Sequence, residues 1–338
     1  MNQFPQIAIL GMGAITATIA RALSKNGIGF QVLARDKSRK EELKKTPILF
    51  RYESQPNEKI DLENRTVGLE EVKEKFDYII LGAKSANLPE SVRQALPLLK
   101  EEGKLVFIQN GFPDEWVSFP KERILGGVVG WNTQKTKEGI YFQSNAGALI
   151  LGGPDGQLPD PFWKKALEPY IPVILTNNLT GYRWHKLGIN SVINGLAASC
   201  KLTLGELLFR KQGRKAAIRV LTEVRIAMET SGVKEEVVPG SVSLLKIGEG
   251  KGDLPAWIKH IILMVIGLKY YRIRTSMVQD LDAGRQTEIK EINGKVVETS
   301  KNLGIKSPVN EAIVSTVQGI QKGEILPDLS FLETVCGL

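Results

Sequence analysis

An apolar run, a glycine turn and an amphipathic segment follow one another at the start of the chain, in QIAILGMGAITATIARALSKNG (6–27). This pattern is typical of a buried strand, a tight turn and a helix. Further strands are predicted at FQVLAR (30–35), DYIILGAK (77–84) and KLVFIQNG (104–111), with a helix in LPESVRQALPLLKEEG (88–103). Apolar runs at 125–129, 148–151 and 173–175 add more strands. Strands that alternate with helices predict a parallel sheet of the Rossmann type.

After about residue 178 the strand signals stop. Thr203 and Glu206 form a capping box that opens a helical region reaching residue 231, with a break near 212–213. A helix is then predicted at about 277–303, and another begins at Ser307-Pro308. The sequence therefore predicts an α/β plus all-α protein: a Rossmann-type domain over 1–178 and an all-helical domain over 179–338.

Composition excludes several classes of protein. The chain has 338 residues, two cysteines and two histidines, which excludes a disulfide framework and any metal site with several Cys or His ligands. The net charge of +8 is spread without a basic block, so no nucleic-acid partner is predicted. The most apolar run, 261–268, is far too short to span a bilayer, and no basic stretch precedes the N-terminal apolar run. We expect a cytoplasmic protein without a membrane partner; its oligomeric state stays open, a homodimer included.

The turn GMGAIT suggests a ligand. Gly11 permits a tight turn, and Gly13 lets the backbone approach a pyrophosphate at the helix N-terminus. Thr16 replaces the third glycine of the usual pattern, where close packing of helix and strand is needed; if it only packs, glycine should be tolerated there. The alternative is a plain turn. We predict contacts with a dinucleotide cofactor from six residues: Gly11, Met12, Gly13, Ala14, Ile15 and Thr16.

The end of the second predicted strand bears on the choice of cofactor. Proteins that bind NAD usually place an acidic residue there, whereas this chain has Arg35 followed by Asp36. An arginine can pair with a 2′-phosphate in a forked geometry, which favours NADPH/NADP+. Two alternatives remain: a solvated basic loop, and Asp36 on the ribose hydroxyls.

Two more strand ends carry polar residues, Lys84 and Asn110. Ligands of open α/β sheets bind outside the carboxyl ends of the strands, so both side chains are predicted beside the cofactor. The alternatives are an exposed loop lysine and an Asn-Gly turn selected for its backbone angles.

The segment WHKLGINSVING (184–195) places Lys186, Asn190 and Asn194 four residues apart, within one narrow stripe of a helix. Asparagine is a poor helix former, so two of them beside a lysine call for a reason. A polar stripe facing solvent is one interpretation, although such stripes usually favour Glu, Lys and Gln. A binding surface is the other.

Together these segments resemble the ketopantoate reductase (2-dehydropantoate 2-reductase) family. The matching motifs are GMGAIT, Arg35, GAKS, IQNG, WHKLGINSVING, SMVQDLDAGRQTEI followed by ING, and SPVN, in the family's order and over nearly the whole chain. Thr16 and the extended apolar segment before Ser276 depart from the family pattern.

The resemblance implies an NADPH-dependent reduction of ketopantoate to pantoate, toward pantothenate and coenzyme A. It makes Lys186 the general acid and Glu288 a catalytic assistant. Asn190, Asn194 and Ser276 would bind the 2-oxo acid, and Lys84 and Asn110 would line the junction of cofactor and substrate. A paralogue acting on another 2-oxo acid and a non-catalytic NADP(H) sensor are the rival functions. Ser276 and Glu288 lie twelve residues apart, so they converge only if the predicted helix starts after Ser276 or bends.

Overall fold

A computed structural model describes residues 4–338 of the chain. Contacts divide it into two compact units, one ending at Leu179 and one covering Thr180–Leu338. The elements of the first unit are, in chain order, β1 (Ile7–Leu10), α1 (Ala14–Lys25), β2 (Gln31–Ala34), α2 (Lys37–Lys45), β3 (Ile48–Tyr52), β4 (Glu58–Ile60), β5 (Thr66–Gly68), β6 (Phe76–Leu81), α3 (Leu88–Ala95), β7 (Leu99–Phe107), β8 (Ile124–Val129), β9 (Thr133–Lys135), β10 (Tyr141–Gln143), β11 (Leu149–Gly152), α4 (Phe162–Leu167) and β12 (Val173–Leu175).

Within residues 4–338, the main sheet has eight strands in the order β12-β11-β8-β7-β6-β1-β2-β5. All neighbouring strands pair in parallel except β8 and β11. Side chains of β1 alternate between two cores: Ile7 and Ile9 pack with α1, and Ala8 and Leu10 pack on the other face with α3. Both faces are covered, which explains the continuous apolar runs of the sequence. The predicted fold class is confirmed.

A second sheet, in the order β4-β3-β10-β9, was not predicted. It packs on α1: Arg21 of the helix forms an ion pair with Glu58 at 2.7 Å, and Thr18 Oγ1 lies 2.9 Å from Thr133 Oγ1. Its strands are three to five residues long, too short for a recognisable alternation. This sheet holds the outer side of the helix that follows the glycine turn.

The predicted helix over 88–103 is wrong in its second half. The helix α3 ends at Ala95, a single 3₁₀ turn contains Pro97, and β7 begins at Leu99. Proline lacks the N–H that an α-helix needs in its interior, so the helix cannot continue through this position.

The second unit is helical. Its elements, beginning at the boundary, are α5 (Leu179–Asn190), a π-helical turn (Ser191–Leu196), α6 (Ala197–Ser199), α7 (Leu204–Phe209), α8 (Lys211–Thr230), α9 (Leu244–Ile247), α10 (Ala256–Lys269), α11 (Ser276–Asp282), α12 (Asn293–Asn302), α13 (Pro308–Lys322) and α14 (Ser330–Gly337). The capping box of Thr203 and Glu206 is present at α7. The predicted break falls at Arg210, whose extended backbone separates α7 from α8. No helix of residues 4–338 is long and apolar enough to cross a membrane.

The predicted long helix over 277–303 is two helices, α11 and α12. After Asp282 the chain enters the left-handed region at Gly284, with φ of 63°, and the Arg285 N–H donates to the Asp280 carbonyl across the turn. A glycine in this conformation is the usual end of an α-helix. Ser276 is therefore the first residue of α11, and Glu288 lies in the irregular segment before α12.

Candidate active site

The glycine turn joins β1 to α1. Gly11 has φ of 95°, a value that side-chain-bearing residues rarely adopt. Gly13 is the N-cap of α1, whose first turn contains no acidic residue. The amide groups of that turn, with the positive end of the helix dipole, form the kind of site that binds a phosphate. The other predicted cofactor contacts lie in the same segment: Met12 is in the turn, and Ala14 and Ile15 are the first two residues of α1.

Thr16 does more than pack. Its hydroxyl accepts a hydrogen bond from the Gly13 N–H at 2.8 Å, and it lies 3.0 Å from the Gly11 carbonyl oxygen. Gly82, after β6, makes room for it: a Cβ at Gly82 would lie 3.0 Å from the Thr16 methyl and 2.0 Å from the Gly11 oxygen. The glycine that allows this close approach is thus Gly82, directly after the neighbouring strand β6. A glycine at position 16 would remove the hydroxyl that accepts the Gly13 N–H. The expectation that glycine is tolerated there assumed that Thr16 only packs, and this assumption does not hold.

Arg35 follows β2 and reaches toward α3. Its Nη2 donates to Ser91 Oγ at 2.6 Å, and Ser91 Oγ donates to the Asn87 carbonyl at 2.8 Å. In the main sheet β1 lies between β2 and β6, so this hydrogen bond joins the residue that follows β2 to the helix that comes after β6. Asp36 accepts a hydrogen bond from the Arg39 N–H as the N-cap of α2, so its carboxylate already has a structural role.

Lys84 and Asn110 stand after β6 and β7, as predicted. Lys84 is exposed and Asn110 is partly exposed. Gln109, which sequence reasoning missed, connects the two strand ends: its Nε2 donates to the carbonyls of Leu81 and Ala83 at 2.7 and 2.9 Å. This amide fixes the spacing of the two loops that carry Lys84 and Asn110.

Lys186 lies on α5, one helical turn before Asn190. Although part of its surface is accessible, desolvation by the surrounding protein lowers its pKa below the ordinary value of a lysine. Loss of hydration disfavours the charged form of an amine. A lysine in this condition gives up its proton more readily than one in water.

Asn190 and Asn194 are both buried, and Asn194 meets Ser276. The Ser276 hydroxyl donates to Asn194 Oδ1 at 3.3 Å. Two predicted site residues that are 82 positions apart in the sequence are therefore in contact in the structure. The predicted α-helix changes to a π-helical turn at Ser191. A π-turn takes more residues than an α-turn, so the step from Asn190 to Asn194 rotates less than in an α-helix and keeps the asparagines aligned with Lys186.

A buried polar network lies against the π-helical turn. Asn293 Nδ2 donates to the Ser191 carbonyl at 3.3 Å and to Asn310 Oδ1 at 2.9 Å. The Asn310 amide in turn donates to Glu223 at 2.7 Å, and burial raises the pKa of this carboxyl. A Cβ at Gly195 would lie 2.0 Å from Asn293 Oδ1, so only glycine fits there. The ING and SPVN motifs thus hold the helix that carries the candidate site.

His185 is fully buried and anchors α5 on its other side. Its Nδ1 lies 2.7 Å from Glu235 Oε1 and its Nε2 lies 2.6 Å from Ser241 Oγ. Burial would raise the pKa of Glu235, but hydrogen bonds from His185, Ser243 and the Leu244 N–H lower it below its ordinary value. The histidine beside Lys186 thus has structural partners.

Glu288 is partly exposed and precedes Glu291, whose pKa is raised by burial and by the charge of Glu288. The role of Glu288 stays a prediction, as do the roles of the other site residues.

Comparison with known proteins decides the family. The model described as ketopantoate reductase PanE/ApbA matches residues 7–156, and the model of the C-terminal part of the same family matches residues 178–321. The chain belongs to the ketopantoate reductase family. It is thus an oxidoreductase of a family that uses nicotinamide dinucleotides.

Two relatives align with this chain over nearly the whole length of both proteins. The uncharacterized oxidoreductase YkpB of Bacillus subtilis is 22% identical over 92% of this chain and 97% of its own. The 2-dehydropantoate 2-reductase of Pyrococcus horikoshii is 24% identical over 90% of this chain and 94% of its own.

Solved structures share the fold. A ketopantoate reductase from Ralstonia eutropha has a TM-score of 0.75 at 20% identity, covering 94% of this chain and 99% of that one. A D-mandelate dehydrogenase with NADH and anilino(oxo)acetate has a TM-score of 0.73 at 19% identity, covering 94% and 99%. A dimeric ketopantoate reductase from Staphylococcus aureus has a TM-score of 0.73 at 20% identity, covering 95% and 100%.

Proposed function

We propose that this ketopantoate reductase family member reduces 2-dehydropantoate (ketopantoate) to pantoate with NADPH, a step toward pantothenate and coenzyme A. Residues 1–178 would bind NADP(H), and residues 179–338 would bind the substrate and carry the catalytic groups. The observation that carries the proposal is the placement of Lys186 on α5, one turn before the buried Asn190, with the buried Asn194 following in the π-helical turn, where it meets Ser276. A homodimer is part of the proposal, since a dimeric relative shares the fold.

The residues of the first unit fit a phosphorylated dinucleotide. The first turn of α1 lacks acidic residues, and Arg35, which follows the neighbouring strand β2, has its guanidinium held by Ser91 of α3. A 2′-phosphate offers an arginine two charged oxygens, whereas the hydroxyl of NADH offers none. The cofactor proposal is therefore NADPH, with Arg35 as the group that distinguishes it from NADH.

When bound, the reduced nicotinamide would supply a hydride to the carbonyl carbon of the 2-oxo acid. The carbonyl oxygen then gains negative charge and needs a cation and a proton. Lys186 Nζ supplies both: its charge stabilises the developing alkoxide, and the proton leaves behind the neutral amine that desolvation favours. Lys186 is therefore the proposed general acid.

Asn190, Asn194 and Ser276 are proposed to orient the substrate. Amide and hydroxyl groups both donate and accept hydrogen bonds, so they can fix a carboxylate and a hydroxyl without adding charge. The hydrogen bond between Ser276 and Asn194 supports a shared binding surface. Glu288 is proposed to bind the substrate hydroxyl or to assist Lys186.

The purified chain should be assayed for NADPH and NADH oxidation with three 2-oxo acids. Ketopantoate is compared with 3,3-dimethyl-2-oxobutanoate, which lacks only its hydroxyl, and with phenylglyoxylate, the 2-oxo acid that corresponds to mandelate. A site that binds the hydroxyl rejects the analogue without it, so kcat/KM should favour ketopantoate by at least about 100-fold.

A preference for phenylglyoxylate with NADH would instead support a function like that of the D-mandelate dehydrogenase neighbour. Binding of NADPH without turnover of any 2-oxo acid would support a non-catalytic NADP(H) sensor.

A further inference from the structure

The helix α10 exposes a continuous apolar stripe to solvent. Its members recur at the spacing of one helix face and are, with their exposed fractions, Trp257 (66%), Ile261 (45%), Met264 (40%), Val265 (58%) and Leu268 (66%). We call these five residues the α10 stripe. A helix that is apolar on every side is normally buried on every side.

The stripe cannot turn inward, because the other face of α10 is fixed against α7. Leu263 and Gly267 are buried there, and a Cβ at Gly267 would lie 2.9 Å from Leu208 Cβ. On an ideal helix the stripe is centred roughly 140° from Leu263. Of the two lysines of α10, Lys259 is buried and forms an ion pair with Asp253 at 2.6 Å, and Lys269 is exposed one position after the stripe ends. The stripe itself is therefore uncharged.

Two aromatic residues extend the stripe at its C-terminal end. Tyr271 and Phe209 are both exposed, and their rings meet edge to face with centroids 5.6 Å apart. A Cβ at Gly205 would lie 2.6 Å from Tyr271 Cα, so this end is packed tightly on α7. Together the seven side chains expose on the order of 600 Å² of surface, as large as the largest apolar patch of a typical monomer.

We propose that the α10 stripe is the interface of a homodimer, in which it packs antiparallel on the same stripe of a second copy across a two-fold axis. Two such patches bury on the order of 1,200 Å², the lower limit of a stable interface. All five side chains of the stripe are apolar, so it can face the same stripe of a second copy, as a two-fold interface requires. Antiparallel helices also place the N-terminus of each beside the C-terminus of the other, where their dipoles attract.

The composition favours a protein partner over a lipid surface. Tryptophan, methionine and tyrosine are enriched in protein interfaces, whereas lysine is depleted. A helix that lies on a membrane has its lysines and arginines on the face opposite the apolar one. In α10 that opposite face packs on α7 and carries the neutralised Lys259.

Sedimentation velocity over a concentration series tests this homodimer. The wild-type chain should sediment at twice its mass of 37.3 kDa. Leu268→Glu and Val265→Glu each bring two unpaired charges into the interface and should raise the dimer Kd by at least about 100-fold. Leu158→Glu is the matched control, since Leu158 is 64% exposed in the first unit and should leave the Kd unchanged. Circular dichroism checks that each variant is folded.

A wild-type dimer that persists in both glutamate variants would overturn the proposal. So would a wild-type monomer, with or without binding to vesicles of phosphatidylglycerol and phosphatidylcholine. The inference rests on the homodimer of the proposed function and not on its substrate: sedimentation reports the mass, and the 2-oxo acid assay reports the reaction, so either can fail without the other.

Discussion

Replacing Arg35 by alanine should separate NADPH binding from NADH binding. A hydrogen bond to a charged group contributes about 1.5–3 kcal/mol, and because Arg35 is exposed we expect the lower part of this range, about 1.5–2 kcal/mol. The Kd of NADPH should therefore rise about 10- to 30-fold, whereas that of NADH should change less than about twofold. Ser91→Ala keeps the charge of Arg35 but removes its anchor at 2.6 Å, so a rise of about 2- to 5-fold is expected for NADPH alone.

Fluorescence titration of each dinucleotide into each variant measures these constants. Lys37→Ala is the matched control, since Lys37 is an exposed cation two residues after Arg35, at the start of α2. An equal loss of NADPH and NADH affinity in Arg35→Ala would refute the assignment of this residue to the 2′-phosphate. A Lys37→Ala variant that lost as much would show that only the general positive field matters.

Asn194→Ala should raise KM for the oxo acid by about 5- to 150-fold, the equivalent of about 1–3 kcal/mol, with the NADPH Kd unchanged; steady-state kinetics that match the wild type would remove Asn194 from the site. Asn310→Ala removes one of the two acceptors of the Asn293 amide and the side-chain donor to Glu223, so it should lower the free energy of unfolding in urea by about 1–3 kcal/mol, and an unchanged urea midpoint would contradict this. Because the folded state lowers the pKa of Glu235, the ionised carboxylate stabilises the fold. This stabilisation is fully present above the unfolded carboxyl pKa of about 4.3 and is lost as the pH falls through the folded pKa. Glu235→Gln should thus flatten the acid limb of the stability curve, and an identical limb would contradict the sign.

The sequence predicted the strands of the main sheet other than β5, because they read as apolar runs, as in β1 and β6, whereas β5 has only three residues. The second sheet escaped because β4 and β9 contain three residues each. The prediction of a helix end was wrong where a single residue determines that end. Gly284 ends α11 by adopting the left-handed conformation, although a single glycine within an amphipathic pattern is often tolerated.

The sequence indicated which residues form the candidate site, but not the buried hydrogen-bond network that holds them in position. The stripe of Lys186, Asn190 and Asn194 has a local spacing that a sequence reveals. The network that holds it does not, because Glu223 and Asn310 are 87 positions apart and meet only in the folded unit. The π-helical turn has no local signature either, since it depends on packing rather than on propensity.

Steady-state kinetics of Lys186→Ala with ketopantoate tests the central claim, that Lys186 is the general acid of a ketopantoate reductase, most directly. General acid catalysis contributes about 10²–10⁴-fold, so kcat should fall at least about 100-fold while the NADPH Kd stays unchanged. Lys186→Arg should not restore the rate, because a guanidinium keeps the charge but scarcely releases a proton. In the wild type, activity should decline as the pH rises through the lowered pKa of Lys186, because the neutral amine has no proton to give. An alanine variant that retained most of its turnover would contradict the claim, and Lys84 would then be the next candidate acid.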